Sequence, residues 1–173
     1  MVTLEMEDDC LTPEASLIIK YKGVYPFKAY LVTKKFMRQL WQVEAKDYWE
    51  REFRWSGQND PAGFICGSYV AKPLDRFSEV IAEVWMQGSQ PKDLTKEGQV
   101  EIRINGVLKT KFGGNGFFQD YRNPFVRTFY WFYNWYFYQH RRREHLEFWC
   151  KGKMHELKRR YLEVLNMTPP KPV

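Results

Sequence analysis

The sequence predicts one α+β domain: an antiparallel sheet of about four or five strands, packed by an N-terminal helix and a long aromatic C-terminal helical region. Three observations lead there. Several stretches alternate apolar and polar residues with period two, as strands with one buried face do. Residues 26–41 and the last third of the chain repeat apolar residues at helical spacing instead. The 173 residues, 44% hydrophobic and 28% charged, suit a single domain with a core and exclude a disordered chain.

Each element has its own warrant. Residues 1–14 hold Glu5, Glu7, Asp8, Asp9 and Pro13 and read as a flexible acidic arm. The domain spans 15–166. Residues 15–22 form a strand with Leu17, Ile19 and Tyr21 on one face, ended by Gly23. Pro26 suits a first helical turn, and the helix over 26–41 has a basic face of Lys28, Lys34, Lys35 and Arg38. Residues 43–55 return to period two, with Val43, Ala45, Trp49, Phe53 and Trp55 on one face and a bulge expected near Asp47. Residues 56–63 are turn chemistry, 64–71 a short strand, and 88–97 a polar loop. Residues 76–86 alternate as a strand, although propensity also allows a helix there. Residues 100–112 are the clearest strand, ended by Gly113-Gly114-Asn115-Gly116. Asn123 caps a helix over 124–138. A second helix runs over 141–165, and residues 167–173 are a Pro-rich tail.

This order of elements resembles the helix-grip fold of Bet v 1 and START-type lipid-binding proteins, in which a sheet wraps a long C-terminal helix. Those proteins have more strands and commonly two short helices after the first strand. The resemblance implies a hydrophobic ligand held between sheet and helix. The segments ASLIIKYKG and VEIRINGVL, and the ending that opens on NPF, are also similar to small archaeal proteins of no assigned function. That likeness brings no site residues.

The densest chemical signal is FYWFYNWYFY, residues 129–138, in which Asn134 alone is not aromatic. Such density commits the segment to burial against its own sheet, a partner or a membrane surface. The candidate interaction residues are Phe129, Tyr130, Trp131, Phe132, Tyr133, Trp135, Tyr136 and Tyr138. Interfaces favour Tyr, Trp, Phe and Arg. A basic patch follows: Arg141, Arg142 and Arg143, then Lys158, Arg159 and Arg160. The interspersed Glu144, Glu147, Glu156 and Glu163 also fit a solvated, ion-paired helix face.

Catalytic patterns are missing. His140, His145, Cys150 and His155 follow one another at intervals of five, which sets successive residues about 140° apart on a helix. No metal site follows from that spacing. The glycine-rich turn lacks the GK[ST] of a phosphate loop, and Ser, Cys and His are too scattered for a triad. No cofactor is expected. The cysteines Cys10, Cys66 and Cys150 do not read as a disulfide framework, and the start lacks a secretory pattern, so a reducing, cytoplasmic setting is expected. The longest apolar segment falls short of the ~20 residues of a membrane-spanning helix.

The expected function is a non-enzymatic interaction or structural protein whose aromatic helix and flanking basic residues mediate self-assembly or docking to a larger partner. The expected partner is a protein, as homo-oligomer or larger assembly; an anionic lipid surface and nucleic acid are the other candidates, given the net charge of +6. Two alternatives stand beside it: a hydrophobic small-molecule or lipid binder of helix-grip type, and a sequence-independent nucleic-acid binder.

Overall fold

A computed structural model describes residues 4–112 and 123–167 of the chain. The glycine turn 113–116 and the tail beyond Met167 lie outside the described residues. The first elements are the strands β1 (Leu4–Asp9) and β2 (Leu17–Val24), then the helix α1 (Lys28–Trp41). A 3-10 turn at Ala45–Asp47 leads into β3 (Tyr48–Ser56). The strands β4 (Ala62–Pro73), β5 (Ser78–Gln90) and β6 (Glu97–Phe112) follow. The helix α2 then runs from Pro124–Tyr133 through Asn134–Tyr138, Gln139–Glu144 and His145–Gly152 to Lys153–Val164. Backbone angles stay helical at every junction, as at Asn134 (φ −59°, ψ −46°) and His145 (φ −62°, ψ −43°). The two helices expected over 124–138 and 141–165 are therefore one, about 60 Å long at 1.5 Å per residue. Its second and fourth stretches are π-helical, which takes up extra residues without a break.

The strands form one antiparallel sheet of six, in the order β1-β6-β5-β4-β3 with β2 also on β6. β1 and β2 divide one edge between them. β1 pairs the end of β6 from Leu4↔Phe112 to Asp9↔Val107, and β2 pairs its beginning from Leu17↔Ile104 to Val24↔Glu97. The reading of residues 1–14 as a flexible arm is thus corrected for Leu4–Asp9. The acidic side chains find partners across the strands: Glu7 lies 2.9 Å from Lys109 and Glu5 3.1 Å from Lys111. Those lysines are some hundred residues away in sequence, so an isolated acidic run looked solvated.

Residues 10–16 leave the edge and drop Cys10 and Leu11 into the core. There Cys10 is disulfide-bonded to Cys150 of α2, with Cα atoms 5.2 Å apart. This corrects the expectation of unpaired cysteines; only tertiary structure brings the two together. Cys66 is a buried free thiol.

The inner face of the sheet is built from Leu17, Ile19, Val80, Val84, Ile102, Ile104 and Leu108, all buried. Helix α1 closes part of it with Ala29, Met37, Leu40 and Trp41, and the C-terminal part of α2 closes the rest with Met154, Leu157, Tyr161 and Leu165. The helices also meet each other. Thr33 Oγ1 and Tyr161 Oη are 2.8 Å apart, and Trp41 Nε1 donates to the Trp149 carbonyl at 3.1 Å. Helix α1 stops where Gln42 turns left-handed (φ 52°, ψ 49°) and donates its N–H to the Arg38 carbonyl.

β3 departs from the expected alternation. Its pairing with β4 shifts register between Glu50 and Glu52, so the bulge falls at Arg51 rather than near Asp47. Trp49 therefore stacks on Tyr69 at 5.1 Å on the outer face, whereas Phe53 and Trp55 lie on the other face, paired with Cys66 and Phe64 and still 46% and 43% exposed. There Phe27 meets Trp55 at 4.9 Å and Phe64 at 5.2 Å, edge to face.

A candidate docking helix and the latch that holds it

The aromatic segment lies in the N-terminal part of α2. Asn123 caps it, accepting the Phe125 N–H at 3.0 Å, and Pro124 occupies the first turn. No residue of Pro124–Tyr133 is buried. Seven aromatic side chains between Phe125 and Phe137 are 46 to 82% exposed: Phe125, Phe129, Trp131, Phe132, Trp135, Tyr136 and Phe137. The rings order themselves along the helix. Trp131 stacks on Trp135 with centroids 6.1 Å apart, and Phe132 lies 4.4 Å from Tyr136. Both are i,i+4 pairs, adjacent on one helix surface.

The remaining aromatics face the end of the sheet. Tyr133 packs edge to face on Phe112 at 6.2 Å and on Phe77 at 6.3 Å, and Tyr130 lies 6.1 Å from Phe112. Tyr138 turns fully inward. Of the eight aromatic residues singled out in the sequence, Phe129, Trp131, Phe132, Trp135 and Tyr136 are exposed, Tyr130 and Tyr133 half-buried, and Tyr138 buried. Phe125 and Phe137, not singled out, are the most exposed of all. A buried role for Tyr138 corrects its place among the interaction residues.

The reason lies in a polar latch that local sequence could not show. Tyr138 Oη donates to Asp75, 2.8 Å from Oδ2, and stands 2.6 Å from Ser78 Oγ. His145 Nε2 sits 3.0 Å from the same Asp75 oxygen. The backbone N–H groups of Phe77 and Ser78 each donate to Asp75 Oδ1 at 2.8 Å. Ser78 Oγ reaches Thr110 Oγ1 at 3.0 Å, which carries the network on to β6. Burial alone would push the Asp75 carboxyl upward. The donors from Phe77, His145, Tyr138 and Ser78 outweigh it and hold it below the ordinary carboxylate value. Burial pushes the Tyr138 phenol up to about 12, with Asp75 adding to the rise and Ser78 opposing it. The latch is a phenol and an imidazole on one carboxylate. Ser78 Oγ bonds to Tyr138 and Thr110, while His145 bonds to Asp75.

The basic patch divides. Arg142 is half-buried and ion-paired with Asp8 of β1, which fixes α2 to the sheet edge. Arg141 and Arg143 are exposed beside it. Arg159 pairs with Glu156 and Glu163, and Arg160 with Glu156 at 3.2 Å, along their own helix surface. Lys158 is half-buried. The structure does not unite Arg141–Arg143 with Lys158–Arg160: about 25 Å of helix separates them at 1.5 Å per residue.

Two further features bear on function. The space between sheet and helices holds Met37, Trp41, Phe64, Met86, Met154 and Tyr161, each at most 2% exposed. No helix among the described residues is long and apolar enough to cross a membrane. Compared with known proteins, the chain matches no family model, no curated protein and no solved structure.

Proposed function

We propose that this chain is a non-enzymatic docking protein: an α+β body that holds out an aromatic helix for association with a further surface. One observation carries the reading. The first part of α2 buries none of its residues, yet it concentrates Phe125, Trp131, Phe132, Trp135, Tyr136 and Phe137 in exposed positions. At 46 to 82% exposure and about 150–250 Å² per ring, these rings offer roughly 700 Å² of aromatic surface. The largest apolar patch of an ordinary monomer is about 300–600 Å². The latch on Asp75 and the Arg142–Asp8 pair support the same reading, because they fix the helix to the body while leaving those rings outside.

A carrier of a hydrophobic small molecule would use the space between sheet and helices, where Trp41, Phe64, Met86 and Tyr161 already sit. A nucleic-acid groove would draw on both basic clusters, and the second is engaged with glutamates of its own helix.

Light scattering of the protein eluting from a size-exclusion column tests the proposal, with and without micellar detergent. The wild type should elute self-associated or carrying bound detergent. The Trp131→Ser/Phe132→Ser/Trp135→Ser variant should elute as a bare monomer with unchanged circular dichroism. A wild type that is a bare monomer in both buffers overturns the docking role.

A further inference from the structure

We infer that the surface taken by the docking helix is an anionic lipid bilayer, with the helix lying in the headgroup zone rather than crossing it. The inference rests on the docking role proposed above and names its partner.

Charge is the first argument. From Asn123 to Arg143 the chain has no acidic residue, while Arg127 stands near one end of the aromatic strip and Arg141 and Arg143 at the other. All three arginines are exposed. A second copy of the chain fits poorly against such a strip. In antiparallel pairing Arg141 and Arg143 meet the other copy's Arg127, in parallel pairing each cluster meets itself, and the strip has no carboxylate to offset either. An anionic surface satisfies both ends together.

Composition is the second. The exposed rings include Trp131, Trp135 and Tyr136, whose apolar bodies carry a polar N–H or O–H. Such rings prefer the boundary between hydrocarbon and water. Single-stranded nucleic acid would call for cations interleaved with the stacking rings. Here no Lys or Arg occurs between Arg127 and Arg141.

Geometry is the third. Residues 124–137 extend about 21 Å at 1.5 Å per residue, short of a hydrocarbon core of about 30 Å. The opposite side of the same turns is committed to Phe77 and Phe112 through Tyr133. The exposed rings therefore lie away from the side held by the sheet, which suits a segment lying in the interface plane at a depth of about 5–10 Å.

Sedimentation of the full chain with vesicles of phosphatidylcholine containing a third phosphatidylserine, against pure phosphatidylcholine, reads the inference. Tryptophan emission and quenching by brominated lipids are recorded on the same samples. The wild type should bind the anionic vesicles, blue-shift its emission, be quenched at shallow bromine positions, and detach as salt rises. Arg141→Ala/Arg143→Ala should weaken binding about 25-fold, at roughly five-fold per cation near an anionic surface. Trp131→Ser/Phe132→Ser/Trp135→Ser should abolish the lipid-dependent shift, with its fold checked by circular dichroism. Equal binding to both vesicle types overturns the anionic preference. No vesicle binding by a wild type that still self-associates or takes up detergent overturns the lipid partner and leaves the docking role standing. No vesicle binding, association or detergent uptake overturns both.

Discussion

At the scale of single residues, Asp75 joins the two halves of α2 to the turn between β4 and β5. Its carboxylate receives backbone donors from Phe77 and Ser78 and side-chain contacts from Tyr138 and His145. Hydrogen bonds to a charged group contribute about 1.5–3 kcal/mol each, and some are kept by an amide, so Asp75→Asn should cost on the order of 2 kcal/mol at neutral pH. The folded-state value of Asp75 is depressed, so this contribution is fully present above the unfolded carboxylate value of about 3.9 and is lost as pH falls through the lower folded value. Urea unfolding at pH 7 and again below pH 4 should therefore show the gap between wild type and variant closing in acid. A gap that stays constant would mean that the charge of Asp75 is not what holds the latch. None of this was visible in the sequence. Asp75, Ser78, Tyr138 and His145 form no local pattern, and Asp75 sits in an ordinary-looking turn after a proline. The aromatic residues were conspicuous, but a segment apolar on every side does not say which side faces the sheet. That was decided by Phe77 and Phe112 at the sheet's end.

At the scale of elements, close approach between strands limits what the sheet tolerates. A Cβ at Gly88 of β5 would lie 2.3 Å from the Gln99 carbonyl oxygen and 2.8 Å from Phe64 Cζ. The carbonyl belongs to the neighbouring backbone and cannot retreat without moving the strand. Overpacking typically costs about 1–3 kcal/mol, and Gly88→Ala should reach the upper part of that range. At Gly63 of β4 a Cβ would meet nothing within 4 Å. Gly63→Ala should be neutral or stabilise by up to about 1 kcal/mol. Thermal denaturation of the two variants side by side decides this; equal losses would show that strand glycines matter for another reason. The strands were legible to the degree that their alternation was clean. β6 and β5 were, because Ile102, Ile104, Val80 and Val84 mark the inner face without interruption. β1 was not, because its stabilising partners are Lys109 and Lys111, about a hundred residues further along the chain. In β3 the bulge at Arg51 reversed the faces midway, which no period-two count anticipates. The apparent break in α2 near residues 139–140 was a change of helical phase, absorbed by a π-helical stretch.

At the scale of the whole molecule, the Cys10–Cys150 disulfide links the N-terminal excursion to α2 across 140 residues of sequence. Cross-links that close long loops restrict the unfolded chain most, and removing a native one typically costs about 2–5 kcal/mol. Reduction, or Cys10→Ser/Cys150→Ser, should lower the denaturant midpoint by a corresponding amount. A thiol titration checks the premise. Burial, with Glu50 adding to it, pushes the Cys66 thiol up to about 12, so the native protein should show no reactive thiol and the unfolded, unreduced chain one. Three thiols in the unfolded chain before reduction would contradict the cross-link.

The π-helical stretch at Asn134–Tyr138 has a consequence for the molecule as a device. Each residue in a helix is worth 100° of rotation. Tyr138 points into the sheet while Trp131 and Trp135 point away from it. The stretch between them works as a phase shifter, like a spline that sets the angle between a handle and a blade. One residue gained or lost there would leave every side chain chemically unchanged and swing the tryptophans about a quarter-turn towards the body. The outward aim of the aromatic strip is therefore a property of chain length at one point, separate from the strip's composition.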